Sequence, residues 1–213
     1  MIEATPIALA GALSWASGLR LYLALFLAGM LGRFHVVPLP QALDVLSHTP
    51  VLIATGALTL VEFLVDKIPA LDSAWDGVQT FMRVPAGALL AWGVFAHASP
   101  EVQAIAAVLG GALAAGTHAA KAGTRALANT SPEPFSNWGL SFSEDALVAG
   151  GLALAVTHPL AFLGALALFV LLLAWMLPRL WRGVRALWRR LRDPFGRRAN
   201  AMASTETSSR RRR

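Results

Sequence analysis

The chain has 213 residues, of which 56% are hydrophobic and only 14% charged, with a mean hydropathy of +0.57. That balance excludes an ordinary water-soluble domain and reads as an integral membrane protein, and the absence of cysteine excludes disulfides and thiolate metal sites. The formal charge of +6 hides a division, because residues 1–178 carry six Lys and Arg against ten Asp and Glu, whereas residues 179–213 carry twelve against two.

The opening "MIEATP" contains Glu3 and no Lys or Arg, so it lacks the basic start of a cleaved signal peptide and predicts a retained helix over 6–32. Further apolar runs predict helices near 50–67, 79–97, 102–128, 145–157 and 159–177. Since hydrocarbon requires roughly 20 residues per helix, this makes about six crossings. The fifth run is short, and "THP" at 157–159 fits either a tight outside turn or a proline break in one long helix, so five spans is the rival count.

Within the first helix, Arg20 follows Ser14, Ser17 and Gly18 and is the most deeply placed basic residue. A local opening at Ser17 and Gly18 would turn Arg20 towards a polar cavity, as broken membrane helices do. The second helix ends with Glu62 and Asp66, four apart and therefore on one face. The fourth carries His118, Lys121 and Arg125 at spacings of three and four, again on one face. With six spans these two helices run in the same direction, which predicts a ladder of Glu62 with Lys121 and Asp66 with Arg125. Ionisable groups in hydrocarbon cost several kcal/mol unless paired or wetted, so such a ladder is a candidate functional site. It serves equally as a brace near the inner interface, where Lys67, Lys121 and Arg125 can snorkel. His118 fits a proton relay or a hydrogen-bonded packing residue.

Two segments, "KIPALDSAWDG" and "ANTSPEPFSNWG", read as irregular loops rich in Pro, Asp, Asn and Ser. Folded back, they line an inner vestibule with Asp72, Asp76, Asn129, Ser131 and Asn137; otherwise they are surface turns. "SFSED" predicts a helix start in which Ser141 and Glu144 form a capping box, leaving Asp145 without a local role. After Pro178, Leu180, Val184, Leu187 and Leu191 share one helical face, while Arg182, Arg185, Arg189 and Arg192 lie opposite. That pattern predicts a surface helix over 179–198 that binds anionic lipid, followed by a disordered tail over 199–213. Arg-rich flanks stay cytoplasmic, so an even span count places both termini inside.

"AGALSWASG" at 10–18 and "GGALAAGTH" at 110–118 align Gly11 with Gly111, and "LLAW" recurs at 89–92 and 172–175. A repeat of three helices forces the two halves into opposite orientations, the inverted plan of many transporters. No zinc-protease, nucleophile-elbow or phosphate-loop motif is present, and no metal or cofactor is expected.

"VEFLVDKIPALDSAWDGVQTFMRVPAGALLA", "THAAKAGTRALANTSPEPFSN" and "SFSED" resemble a bacterial integral membrane family known only as a domain of unknown function. The "DKIP…D" and H-x-x-K-x-x-x-R elements carry most of that resemblance, which covers about residues 5–180. It implies the bacterial inner membrane and no particular activity. Leu19 and Arg20 stand where similar proteins commonly have Asn, and the basic tail lies outside the resemblance. The combined expectation is an all-α, multi-pass bundle over 1–178, with Arg20, Glu62, Asp66, His118, Lys121, Arg125, Asn129 and Asp145 along a polar path for an unidentified ion or small solute. The rival is a non-transporting scaffold or lipid-binding module. Membrane lipid is the expected partner, self-association is possible, and no specific nucleic acid is expected.

Overall fold

A computed structural model of the protein describes residues 4–128, 134–179, 181–183 and 185, and among them every regular element is a helix. The elements are α1 (Ala4–Leu19), α2 (Leu21–Arg33), a 3-10 segment (Gln41–Ser47), α3 (Thr49–Val65), α4 (Pro69–Val94), α5 (Pro100–Ala128), α6 (Pro134–Thr157) and α7 (Pro159–Gly183). α5, the Trp138–Thr157 part of α6, and α7 are long and apolar enough to cross a membrane. The 3-10 segment and α3, bent by 68° at their junction, form a fourth candidate, and α1 and α2 are shorter apolar helices. The protein is a helical membrane protein.

α1 is the centre of the bundle. All but one of its residues from Ala8 to Leu19 are buried, as expected of a helix that is apolar on every side, and it packs against α2, α4, α5 and α6. Small residues let the backbones meet: Ser14 Oγ donates to the Gly87 carbonyl of α4 at 3.0 Å, and a Cβ on Gly110 of α5 would lie 2.7 Å from that same carbonyl. A Cβ on Gly18 would lie 2.5 Å from the Ala114 carbonyl. Such small-residue contacts are a common way for membrane helices to associate, since lipid tails are as apolar as the helices themselves.

Three expectations change, and one open alternative is decided. The first helix is not continuous, and its interruption is not at Ser17 and Gly18, which stay helical because they are the close-packing positions against α4 and α5. It breaks at Arg20, whose backbone leaves the helical region (φ −143°, ψ 84°). α4 begins at Pro69, so most of "KIPALDSAWDG" is helix. Proline suits a first helical turn because it has no N–H to leave unsatisfied, and the preceding Ile68 is extended (φ −115°, ψ 105°). α6 likewise begins at Pro134, which places Ser141 and Glu144 inside the helix and removes the capping box.

The open alternative concerns "THP". A Cβ on Gly151 of α6 would lie 2.5 Å from the Trp15 ring, and the Phe169 ring of α7 packs on that same indole, centroids 6.0 Å apart. In one continuous helix residues 151 and 169 would stand about 27 Å apart. α6 and α7 therefore fold back as a hairpin around Trp15, and the proline-broken single helix is excluded.

Candidate functional site

One end of the bundle is charged. Four helices and the α1–α2 break deliver ionisable side chains to it: Arg20 from the break, Glu62 and Asp66 from the end of α3, and Asp76 and Arg83 from α4. His118, Lys121 and Arg125 come from α5, and Glu144 and Asp145 from α6. On each helix the charged residues continue the inward face of the apolar ones. On α6, for example, Ser141 and Glu144 precede Val148, Leu152 and Ala155, all buried.

Asp66 is the hub. Arg20 pairs directly with its Oδ2, Arg125 Nη2 reaches the same atom at 3.2 Å, and Lys121 Nζ lies 3.8 Å away. Glu144 is the second acidic centre, with Arg125 Nη2 at 3.0 Å and Lys121 Nζ at 3.2 Å from Oε2. Arg20 spans the two acidic helices. Its Nε lies 2.9 Å from Asp145 Oδ1, and its Nη2 donates to Ser141 Oγ at 2.7 Å. Lys121 also donates to the Leu19 carbonyl at 3.0 Å, an acceptor at the very end of α1, next to the break.

The expected ladder is half right. Asp66 does pair with Arg125, but Glu62 pairs with Arg83, whose Nη2 donates to Glu62 Oε1 at 2.6 Å. Lys121 turns to Asp66, Asp76 and Glu144 instead. Arg83 also donates from Nη1 to Asp76 Oδ1 at 3.0 Å and contacts His118 Nδ1 at 2.9 Å. A guanidinium only donates, so Nδ1 is the acceptor, the ring is neutral, and its proton sits on Nε2, 2.7 Å from Thr80 Oγ1. The Thr80 hydroxyl in turn donates to the Asp76 carbonyl at 2.9 Å.

Beside this network lies a hollow of ≈ 300 Å³ lined by Asp76, Gly77, Thr80, His118, Ala122 and Arg125. Glu62, Asp66 and Lys121 form the dry side of the network, at most 4% exposed. Lys67, just past α3, lies over the Phe63 ring 3.2 Å from its centroid; burial pushes its ammonium below the usual value, and the positive charge of Arg20 adds to that.

Of the residues singled out from sequence, Arg20, Glu62, Asp66, His118, Lys121, Arg125 and Asp145 all converge here. Asn129 and Ser131 lie outside the described residues, as do Arg189 and Arg192, and the side chains of Asp72 and Asn137 are likewise not described. Of the tail arginines, Arg182 Nε donates to the Pro178 carbonyl at 3.2 Å, and Arg185 stacks over Trp181. Sequence reasoning missed Arg83 and Gln79 and gave Glu144 a merely local role. Asp76, Gln79 and Arg83 are spaced three and four apart, the same signal that picked out α5, but it shows only once α4 is extended back to Pro69.

A family model described as "Domain of unknown function (DUF4126)" matches residues 7–179. No curated protein and no solved structure matches the chain.

Proposed function

The chain belongs to the DUF4126 family of domains of unknown function, and from its geometry we propose that it is a small transporter or channel-like protein of the bacterial inner membrane. Its charged network forms the closed part of a polar path for an ion or small solute. The observation that carries this reading is the hollow of ≈ 300 Å³ at the network's edge, where Asp76, Thr80, His118 and Arg125 meet a void. Ionisable groups inside a membrane bundle are functional-site candidates by default, and here they border an open hollow.

The contacts also support two inverted halves, α1 to α4 and α5 to α7. Gly11 of α1 faces Leu166 of α7, and Gly111 of α5 faces Val84 and Ala88 of α4, the contact that exchanging the halves requires. Arg20 and Lys121, one from each half, both touch acids of α3 and of α6. With six crossings both termini are cytoplasmic, and Arg182, Arg185, Arg189 and Arg192 meet anionic lipid there.

A second reading, a scaffold whose ion pairs only brace the helices, is favoured by the dryness of Glu62 and Lys121. Because the natural chain has no cysteine, introduced thiols separate the two. Thr80→Cys in the hollow should react with a charged, membrane-impermeant thiol reagent from one face of sealed vesicles. Ser17→Cys, fully buried one turn beyond Arg20, should react slowly from the opposite face as the path opens. Labelling of Thr80→Cys with lasting protection of Ser17→Cys would make the hollow blind and establish the scaffold.

A further inference from the structure

Glu62 meets its arginine in an unusual way. Arg83 Nη2 donates to Oε1 at 2.6 Å, yet Arg83 Nε and Glu62 Oε2, both buried, have no hydrogen-bond partner among the described residues. An ionised carboxylate facing a guanidinium frequently takes two N–H groups in a fork. Contact through one oxygen is what a neutral carboxylic acid offers, its carbonyl oxygen accepting while its hydroxyl is directed elsewhere.

A second buried acceptor lacks a donor on the same stretch of α4. Gln79 precedes Arg83 by four residues and so shares its face of the helix. It is 1% exposed, its Nε2 donates to the Tyr22 hydroxyl at 3.1 Å, and its Oε1 has no partner among the described residues. Glu62 Oε2 and Gln79 Oε1 are thus two buried oxygens without a hydrogen-bond partner among the described residues, and the Tyr22 hydroxyl, which donates to Met82 Sδ at 3.9 Å, receives the Gln79 N–H.

We propose that Glu62 is a proton-binding site, its Oε2–H donating to Gln79 Oε1, and that this is the exchangeable proton of the network. The charged and titratable groups around it are Tyr22 on α2, Asp66 and Lys67 just past α3, Asp76 and Arg83 on α4, His118, Lys121 and Arg125 on α5, Arg20 at the α1–α2 break, and Glu144 and Asp145 on α6. When the proton leaves Oε2 for water, Glu62 becomes a carboxylate able to take both Nε and Nη2 of Arg83. That draws the guanidinium off Asp76 and off His118 Nδ1, two residues that line the hollow. One arginine thereby links the proton on Glu62 to the wall of the hollow. The proposal deepens the transport reading by making the proton the coupling ion. It rests on that reading only for this coupling; the protonation is argued from the unpartnered Glu62 Oε2, Arg83 Nε and Gln79 Oε1.

The test is infrared spectroscopy of the full chain in lipid nanodiscs, together with proton flux in liposomes loaded with a pH-sensitive dye. The wild-type protein at neutral pH should show the C=O band of one protonated carboxylic acid. Glu62→Gln should lose that band while remaining at least as heat-stable as the wild type, because the amide accepts from Arg83 and donates to Gln79. Gln79→Met should keep the band but shift it to the frequency of an acid without a hydrogen-bond acceptor, which gives a reading even if Glu62→Gln does not fold. No band in the wild type, or a band that survives in Glu62→Gln, overturns the proposal. So does a missing band accompanied by stabilisation with sodium and not potassium, which would make the compensating cation sodium. A band without proton flux upholds the site and removes proton-coupled transport; flux without the band upholds transport and removes the site.

Discussion

The same helices are held together by opposite chemistry at their two ends. Toward one end α1, α4 and α5 approach through Ser14, Gly87 and Gly110, where a Cβ on either glycine would lie 2.5 Å from a neighbouring Cβ. At the other end α3, α4, α5, α6 and the α1–α2 break meet through long charged side chains, and a hollow remains beside them. Close packing fixes the helix axes at the first end; ion pairs, which can exchange partners without moving a backbone, join them at the second. A bundle clamped at one end and rearrangeable at the other is suited to opening where the charges are.

The largest effect should come from the hub of the charged end. Asp66→Asn keeps the shape of the side chain but leaves Arg20 and Arg125 short of an anion they both touch. Breaking a buried pair by removing one charge typically costs about 3 to 5 kcal/mol, so thermal unfolding of the purified protein in detergent should shift strongly downward. A shift no larger than that of a surface substitution would mean that Asp66 is solvated and the comparison of the two ends is wrong.

The apolar end should respond to volume and not to charge. In Gly110→Ala the added methyl would meet Ala91 Cβ at 2.5 Å and the Gly87 carbonyl at 2.7 Å, and overpacking of this kind costs about 1 to 3 kcal/mol. Gly77→Ala makes the opposite case. Gly77 lines the hollow on helix α4 with nothing within 4 Å of the added carbon, so the same change should raise stability by roughly 0.5 to 1 kcal/mol through helix propensity alone. Equal responses of the two glycines would erase the distinction between a tight and a loose end.

Much of this arrangement is legible in the sequence, and the illegible part has physical causes. Hydropathy and the spacing of Glu62 with Asp66 and of His118, Lys121 and Arg125 reveal an apolar helical chain with charged faces, because helix periodicity is local. The start of α4 at Pro69 and of α6 at Pro134 escapes a reading that treats proline and polar residues as loop, since at the first turn of a helix proline is favourable. Glu144 looked locally satisfied by Ser141, whereas tertiary contacts claim both: Arg20 takes Ser141, and Arg125 and Lys121 take Glu144. The partner of Glu62 was misassigned for a related reason. Matching two charged faces by spacing fixes which helices could meet but ignores a third helix, and α4 supplies Arg83.

The pairing of the charged end can be measured by double-mutant cycles, where contacting residues couple by about 0.5 to 3 kcal/mol and independent ones add within about 0.5 kcal/mol. Asp66→Asn combined with Arg125→Met should show coupling, since the two side chains touch at 3.2 Å. Glu62→Gln combined with Lys121→Met should be additive. Lys121 directs its ammonium to Glu144 and the Leu19 carbonyl, and a Glu62 that is already neutral loses no charge on becoming glutamine. The two cycles use the same helices and the same loss of one anion position and one cation, so burial and helix propensity nearly cancel between them. Strong coupling between Glu62 and Lys121 would require an ionised Glu62 facing the ammonium, and would restore the simple two-helix ladder in place of the arginine of α4.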